Sequence, residues 1–185
     1  MRRPQSPLFL REPQLALLRV KAVTAVTALQ MSVESQLIRP MLPHHMHPRA
    51  EQLIDSLGLL PHPEGGWYRQ VFKSDEYVQR TSDGAARSAL TTIYFLLVEG
   101  TFSAWHRVDS DEVWHFYEGE PLELLSRASE DEGPLVRVLD EVNRVEVVRA
   151  RHWQAARPLG AYTLVGCTVG PGFEFADFEL KPGPI

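Results

Sequence analysis

The pattern of hydrophobic and polar positions changes character near residue 49. From Arg49, the residues Leu53, Ile54, Leu57 and Leu60 recur at helical spacing with Gly58 near the end, which predicts one short amphipathic helix. Beyond Pro61 the period shortens, and β-type runs bounded by turn residues follow. They span Trp67 to Phe72, Ala89 to Val98, Ala104 to Val108, Val113 to Tyr117, Leu122 to Ser126, Leu135 to Leu139, Val145 to Val148, Tyr162 to Val169 and Phe173 to Leu180. With no helices between them, such runs predict an all-β antiparallel sandwich or barrel behind a short N-terminal helix.

Before residue 49 strand patterning is absent. Arg2, Arg3, Arg11, Arg19 and Lys21 face only Glu12 among the first thirty positions. Three readings stay open: an organellar targeting leader, a dispensable tail, or upstream sequence ahead of a translation start at Met31. The prolines and histidines from Pro40 to Pro48 read as a linker, dividing the chain into an extension, 1–46, and a folded domain, 47–185.

Composition narrows the function classes. At 185 residues and 44% hydrophobic content the chain can close one core. Its net charge of -5, with basic residues scattered, argues against a nucleic-acid partner. No apolar run approaches the about 18 residues of a membrane span. The single Cys167 can form no internal disulfide, which points to a reducing, cytoplasmic setting and a core role for that thiol.

The chemistry-bearing stretch runs from Gly100 to Gly119 and holds His106 and Glu112 on successive strands joined by a polar turn. If the two strands pair as a hairpin, alternation places Ala104, His106 and Val108 on one face and Glu112, Trp114 and Phe116 on the matching face, all meeting inside a small barrel. A histidine beside a carboxylate can serve as a general base. A His–Glu pair that only braces the hairpin is the competing reading. Trp114 and Phe116 are the expected pocket walls. Arg87 can reach a barrel mouth and pair with an anionic substrate, the Glu64-Gly65-Gly66 turn can form a rim, and Tyr94 or Tyr117 are candidates for a second acid. His115 has the parity of an outward residue.

The spacing Gly100, His106, Glu112, Gly119 resembles the first motif of the cupin superfamily, with Val108 where its second histidine is usual. The resemblance is closer to the small cupin family of unknown function DUF985 (cupin_5). It is carried by His62-Pro-Glu-Gly-Gly-Trp-Tyr-Arg69, Thr91-Thr-Ile-Tyr-Phe-Leu-Leu97, Trp105-His-Arg-Val-Asp-Ser-Asp-Glu-Val-Trp-His-Phe-Tyr117 and Leu164-Val-Gly-Cys-Thr-Val-Gly-Pro-Gly-Phe-Glu-Phe175. The resemblance implies a double-stranded β-helix, or cupin jelly-roll barrel, and a homodimer. It also puts Gln154 at the ligand position of the second cupin motif. With Val108 unable to coordinate, His106 and Glu112 are the firm candidate ligands and Gln154 a weak one, short of the usual three for a divalent metal. The expected functions are therefore a metal-independent epimerase or isomerase acting on a sugar-like or other small metabolite with His106 as base and Glu112 orienting it; a non-catalytic metabolite binder; and a metal-dependent oxygenase or isomerase that needs Gln154.

Overall fold

Helix α1 (Pro48–Leu57) forms where the periodic leucines predict it. The ring of His47 caps its start by accepting from the Arg49 amide, and Pro48 sits in the first turn, where an amide has no helical partner. Gly58 ends it with φ 61, in the left-handed region, and the Leu59 amide returns to the Ile54 carbonyl at 2.9 Å. These coordinates are a computed structural model, which describes residues 46–181 and 183. The basic leader, the start at Met1 or Met31 and most of the Pro/His linker lie outside the described residues.

The strands that follow are β1 (Leu60–Pro61), β2 (Trp67–Lys73), β3 (Tyr77–Gln79), β4 (Ala86–Ser88), β5 (Thr91–Val98), β6 (Ser103–Val108), β7 (Asp111–Gly119), β8 (Leu122–Arg127), β9 (Leu135–Leu139), β10 (Val145–Val148), β11 (Trp153–Pro158), β12 (Tyr162–Gly170) and β13 (Phe178–Leu180). They build a sheet in the order β1-β2-β5-β12-β7-β10, a second in the order β13-β6-β11-β8-β9, and a β3-β4 ribbon. The innermost turn joins β8 to β9, and outward from it β7 pairs β10, β6 pairs β11 and β5 pairs β12, all antiparallel. This is one long hairpin rolled on itself, and the β12·β7 and β11·β8 ladders stitch the roll into two facing sheets.

Rolling the hairpin sends β5, β6, β7 and β8 alternately to opposite sheets, which corrects one expectation. β6 and β7 do not pair as a hairpin; β6 lies between β13 and β11, while β7 lies between β12 and β10. A further correction concerns Phe173 to Leu180, which is a 3-10 turn at Phe175–Asp177 followed by the short β13, not one strand. β11 carries no β-type signal because Trp153, Gln154, Ala155 and Ala156 are buried on both faces and show no alternation.

One half of the space between the sheets is solid. Phe95, Leu97, Trp114, Phe116, Leu122, Leu124, Leu139 and Val165 form a continuous core there. Outside the larger sheet, Ala50 and Leu53 of α1 pack on Trp67, Leu96, Val98 and Leu164. Among the described residues no helix is long and apolar enough to cross a membrane.

Candidate functional site

The other half of the roll is hollow. The antiparallel ladders bring the start of β5, the end of β6, the start of β7 and the end of β12 to the same end, where they enclose a cavity of about 230 Å³. His106 and Val108 enter from the smaller sheet; Glu112, Thr91, Ile93, Cys167 and Val169 enter from the larger. His106 and Glu112 therefore converge from facing sheets, not along one ladder.

A bulge decides what accompanies His106. In the β6–β11 ladder His106 pairs with Gln154, but Ser103 pairs with Ala156, so Ala104 and Trp105 together oppose one residue. The extra residue puts Ser103 inward in the place alternation gave to Ala104, and both Ser103 and His106 are buried. Ser103 donates its hydroxyl to Glu64 at 2.8 Å.

Glu64 arrives from a turn built by glycines. The His62 amide bonds the Gly66 carbonyl at 3.0 Å, and the Ala104 amide bonds the Glu64 carbonyl at 2.8 Å, fixing the turn to β6. Gly65 has φ 113, and a Cβ there would run into the Phe102 carbonyl. Only glycine lets this backbone approach so closely. The turn thus forms part of the cavity wall, with Glu64 pointing inward instead of lying on a solvated rim.

Hydrogen bonds assign the proton on His106. Its Nδ1 lies 2.8 Å from the Ala104 carbonyl, which only accepts, so Nδ1 carries the hydrogen and Nε2 is the free base. That Nε2 is 3.3 Å from Glu64 Oε2. Burial pushes the Glu64 carboxyl up to about 8, against the opposing pull of the Ser103 hydroxyl. Burial also lowers His106, against the pull of Glu112, and raises Glu112. At neutral pH a protonated Glu64 thus faces an unprotonated His106. His62, missed in the sequence, completes the group; burial drives it down to about 3, and its Nδ1 accepts from the Glu64 amide at 3.4 Å.

Gln154 belongs behind the cavity and does not line it. The Trp114 indole can only donate, so its 3.0 Å bond fixes Gln154 Oε1 as acceptor and leaves Nε2 to donate to Glu112 at 2.5 Å. Held between Trp114 and Glu112 and outside the cavity lining, Gln154 is not placed to contact a substrate there, and its oxygen is turned to the Trp114 indole instead of a metal position. With Val108 a hydrocarbon, the residues at the cupin metal position do not fit a metal ion. Among the described residues no group of three or more His, Cys, Asp or Glu is arranged to hold one.

Other expected contacts also move. Trp114 and Phe116 face inward as alternation predicts but fill the solid half of the roll, not the pocket wall. Tyr94 is on the outer face of β5 against Tyr117, at 5.9 Å between ring centres, so neither phenol reaches the cavity. Arg87 is held by both oxygens of Asp177 at 2.6 Å each and does not line the cavity. Tyr68, Phe173, Phe175 and Phe178 supply the aromatic walls. The repeated phenylalanines from Phe173 to Phe178 were the available signal, but the run reads as a strand, and nothing in it shows that a turn folds over the opening.

The rolled antiparallel sheets, with the functional side chains gathered inside one end, define a cupin. The chain belongs to the cupin superfamily family DUF985, whose model, Cupin_5, matches residues 51–181. It is similar to a solved hypothetical protein from Leishmania major, at 34% identity and a TM-score of 0.63, covering 71% of this chain and 86% of that one. A protein from Shewanella oneidensis is similar at 33% identity and a TM-score of 0.63, covering 71% and 84%. Oxalate decarboxylase from Bacillus subtilis shares the fold alone, at 12% identity and a TM-score of 0.50 over 65% of this chain and 29% of that one. No curated protein matches the chain.

Proposed function

We propose that this cupin binds a small molecule in the hollow half of its barrel and catalyses proton transfer at a carbon next to a carbonyl, without a metal. The observation that carries the reading is the placement of an unprotonated His106 Nε2 3.3 Å from Glu64 Oε2 inside the cavity. Base and acid of this kind, held apart in protonation by burial, suit enolisation. The carbon–hydrogen bond breaks as its proton passes to His106 Nε2, and the Glu64 proton moves to the carbonyl oxygen. Returning both protons regenerates the side chains with the carbon-bound hydrogen exchanged for one from solvent, and delivery of the His106 proton to the far carbon of a conjugated enol moves the double bond. Ionised Glu112 would favour the imidazolium formed midway, an attraction that burial opposes by raising the Glu112 carboxyl. This assigns Glu64 the acid role that Tyr94 and Tyr117 were candidates for.

Exchange of carbon-bound hydrogen for deuterium, followed by NMR on carbonyl compounds that bind, tests the reading. His106→Ala and Glu64→Gln are each expected to slow exchange by about 100-fold or more while leaving the fold intact. Binding with no exchange in the native protein would leave the non-catalytic binder as the function.

A further inference from the structure

Cavity size and lining speak to the kind of molecule that fits. The volume, about 230 Å³, lies below the about 300 Å³ where pockets for drug-sized ligands begin. A nucleotide-linked sugar exceeds that volume and would have to project through the opening. No lysine or arginine is among the described residues that line the cavity. Around the rim turn the guanidinium groups are already engaged: Arg80 by Asp83 and Asp177, Arg87 by Asp177, and Arg107 by Glu179. An anion entering the cavity would lose its hydration without gaining a cation. The walls are also mainly apolar, which suits a polyol poorly. Tyr68, Phe173, Phe175 and Phe178 surround the opening with rings, and Phe173 and Phe175 meet edge to face at 5.1 Å. Val108, Ile93 and Val169 line the flanks. The titratable groups cluster as Glu64, His62, His106 and Glu112, and the other polar side chains of the lining are Tyr68, Gln70 and Thr91, the Thr91 hydroxyl already accepting from the Phe173 amide.

We infer that the ligand is a compact, uncharged, mainly apolar ring compound with its polar group at one end, and not a phosphorylated, nucleotide-linked or free sugar. The inference rests on the reading of this cavity as the functional site and names its substrate class.

The test is titration of the full chain, followed by protein NMR, with four single-ring probes: acetophenone, benzoate, phenyl phosphate and D-glucose. Acetophenone is expected to bind at least tenfold tighter than each of the others. Filling the cavity by Val169→Phe should abolish its binding, and Phe175→Ala at the half-exposed rim should weaken it severalfold. Comparable or tighter binding of benzoate, phenyl phosphate or glucose overturns the inference, as does failure of acetophenone to bind, or binding that survives both substitutions. Exchange at the acetophenone methyl group in deuterated water separates the two claims. Binding of acetophenone alone with no exchange sinks proton transfer and keeps the ligand class, whereas exchange together with preferred anion binding does the reverse.

Discussion

Glu64 shows how one residue's environment sets both its chemistry and its cost. The folded protein keeps the Glu64 proton from the ordinary value of 4.5 up to about 8, a range in which the unfolded chain has released it. Stability therefore falls as pH rises through that window. His62 acts in the opposite sense, because its fall from 6.5 to about 3 means that unfolding takes up a proton across that range, so stability is lost as pH drops below 6.5. The two oppose each other below 6.5, and of this pair Glu64 alone acts above it. Urea midpoints are expected to decline between about pH 6.5 and about pH 8.5, and the decline to flatten in Glu64→Gln. Equal slopes in the two proteins would show that Glu64 is ionised in the native state. Trp114 offers a second test. Its indole fixes the Gln154 amide that holds Glu112, so Trp114→Phe leaves a buried carbonyl oxygen without its donor. A loss of about 1–2 kcal/mol is expected in denaturant unfolding.

At the scale of elements, three short pieces place the cavity, and none is a regular strand. The glycine turn presents Glu64, the β6 bulge turns Ser103 inward, and the 3-10 turn at Phe175–Asp177 sets the aromatic rim. Gly65→Ala is expected to cost about 2 kcal/mol or more and to weaken acetophenone binding, because the added methyl group meets the Phe102 carbonyl in a backbone conformation that disfavours it. The rim turn has its own anchor. Asp177 bridges Arg80 of the β3–β4 loop, at 3.0 Å, and Arg87 of β4, at 2.6 Å, and Asp83 also holds Arg80. Asp177→Asn is expected to cost about 2 kcal/mol, less than a fully broken buried pair because Asp83 remains on Arg80. Faster amide exchange confined to residues 173–178 and to β3–β4 would confirm the anchor; uniform exchange would not.

For the whole molecule, the same roll that hollows one end leaves a broad outer face on the larger sheet. α1 covers only part of it, and Phe72, Tyr117, Val145 and Val147 remain about half exposed. We propose that a second copy covers this face, giving the homodimer that the family resemblance implies. Light scattering is expected to report twice the 21.0 kDa chain mass, and Tyr117→Glu to shift it toward the monomer. A monomeric native protein would remove the proposal.

Local pattern alone determined the all-β class, the helix ending at Gly58, most strand positions and the inward parity of Glu112, Trp114 and Phe116, because periodicity records which side of an element is buried. It also singled out His106, Glu112 and Glu64, which the cavity brings together. Depth along the barrel was beyond its reach: inward residues of a single strand divide between cavity and solid core, so Glu112 meets the pocket while Trp114 and Phe116 do not. Only the tertiary structure decided that β6 and β7 face each other across the barrel, that a one-residue bulge replaces Ala104 with Ser103, and that His62 and the phenylalanines from Phe173 to Phe178 join the site. Those outcomes depend on pairings between residues far apart in the chain, and period-2 alternation carries no information about which strand lies opposite.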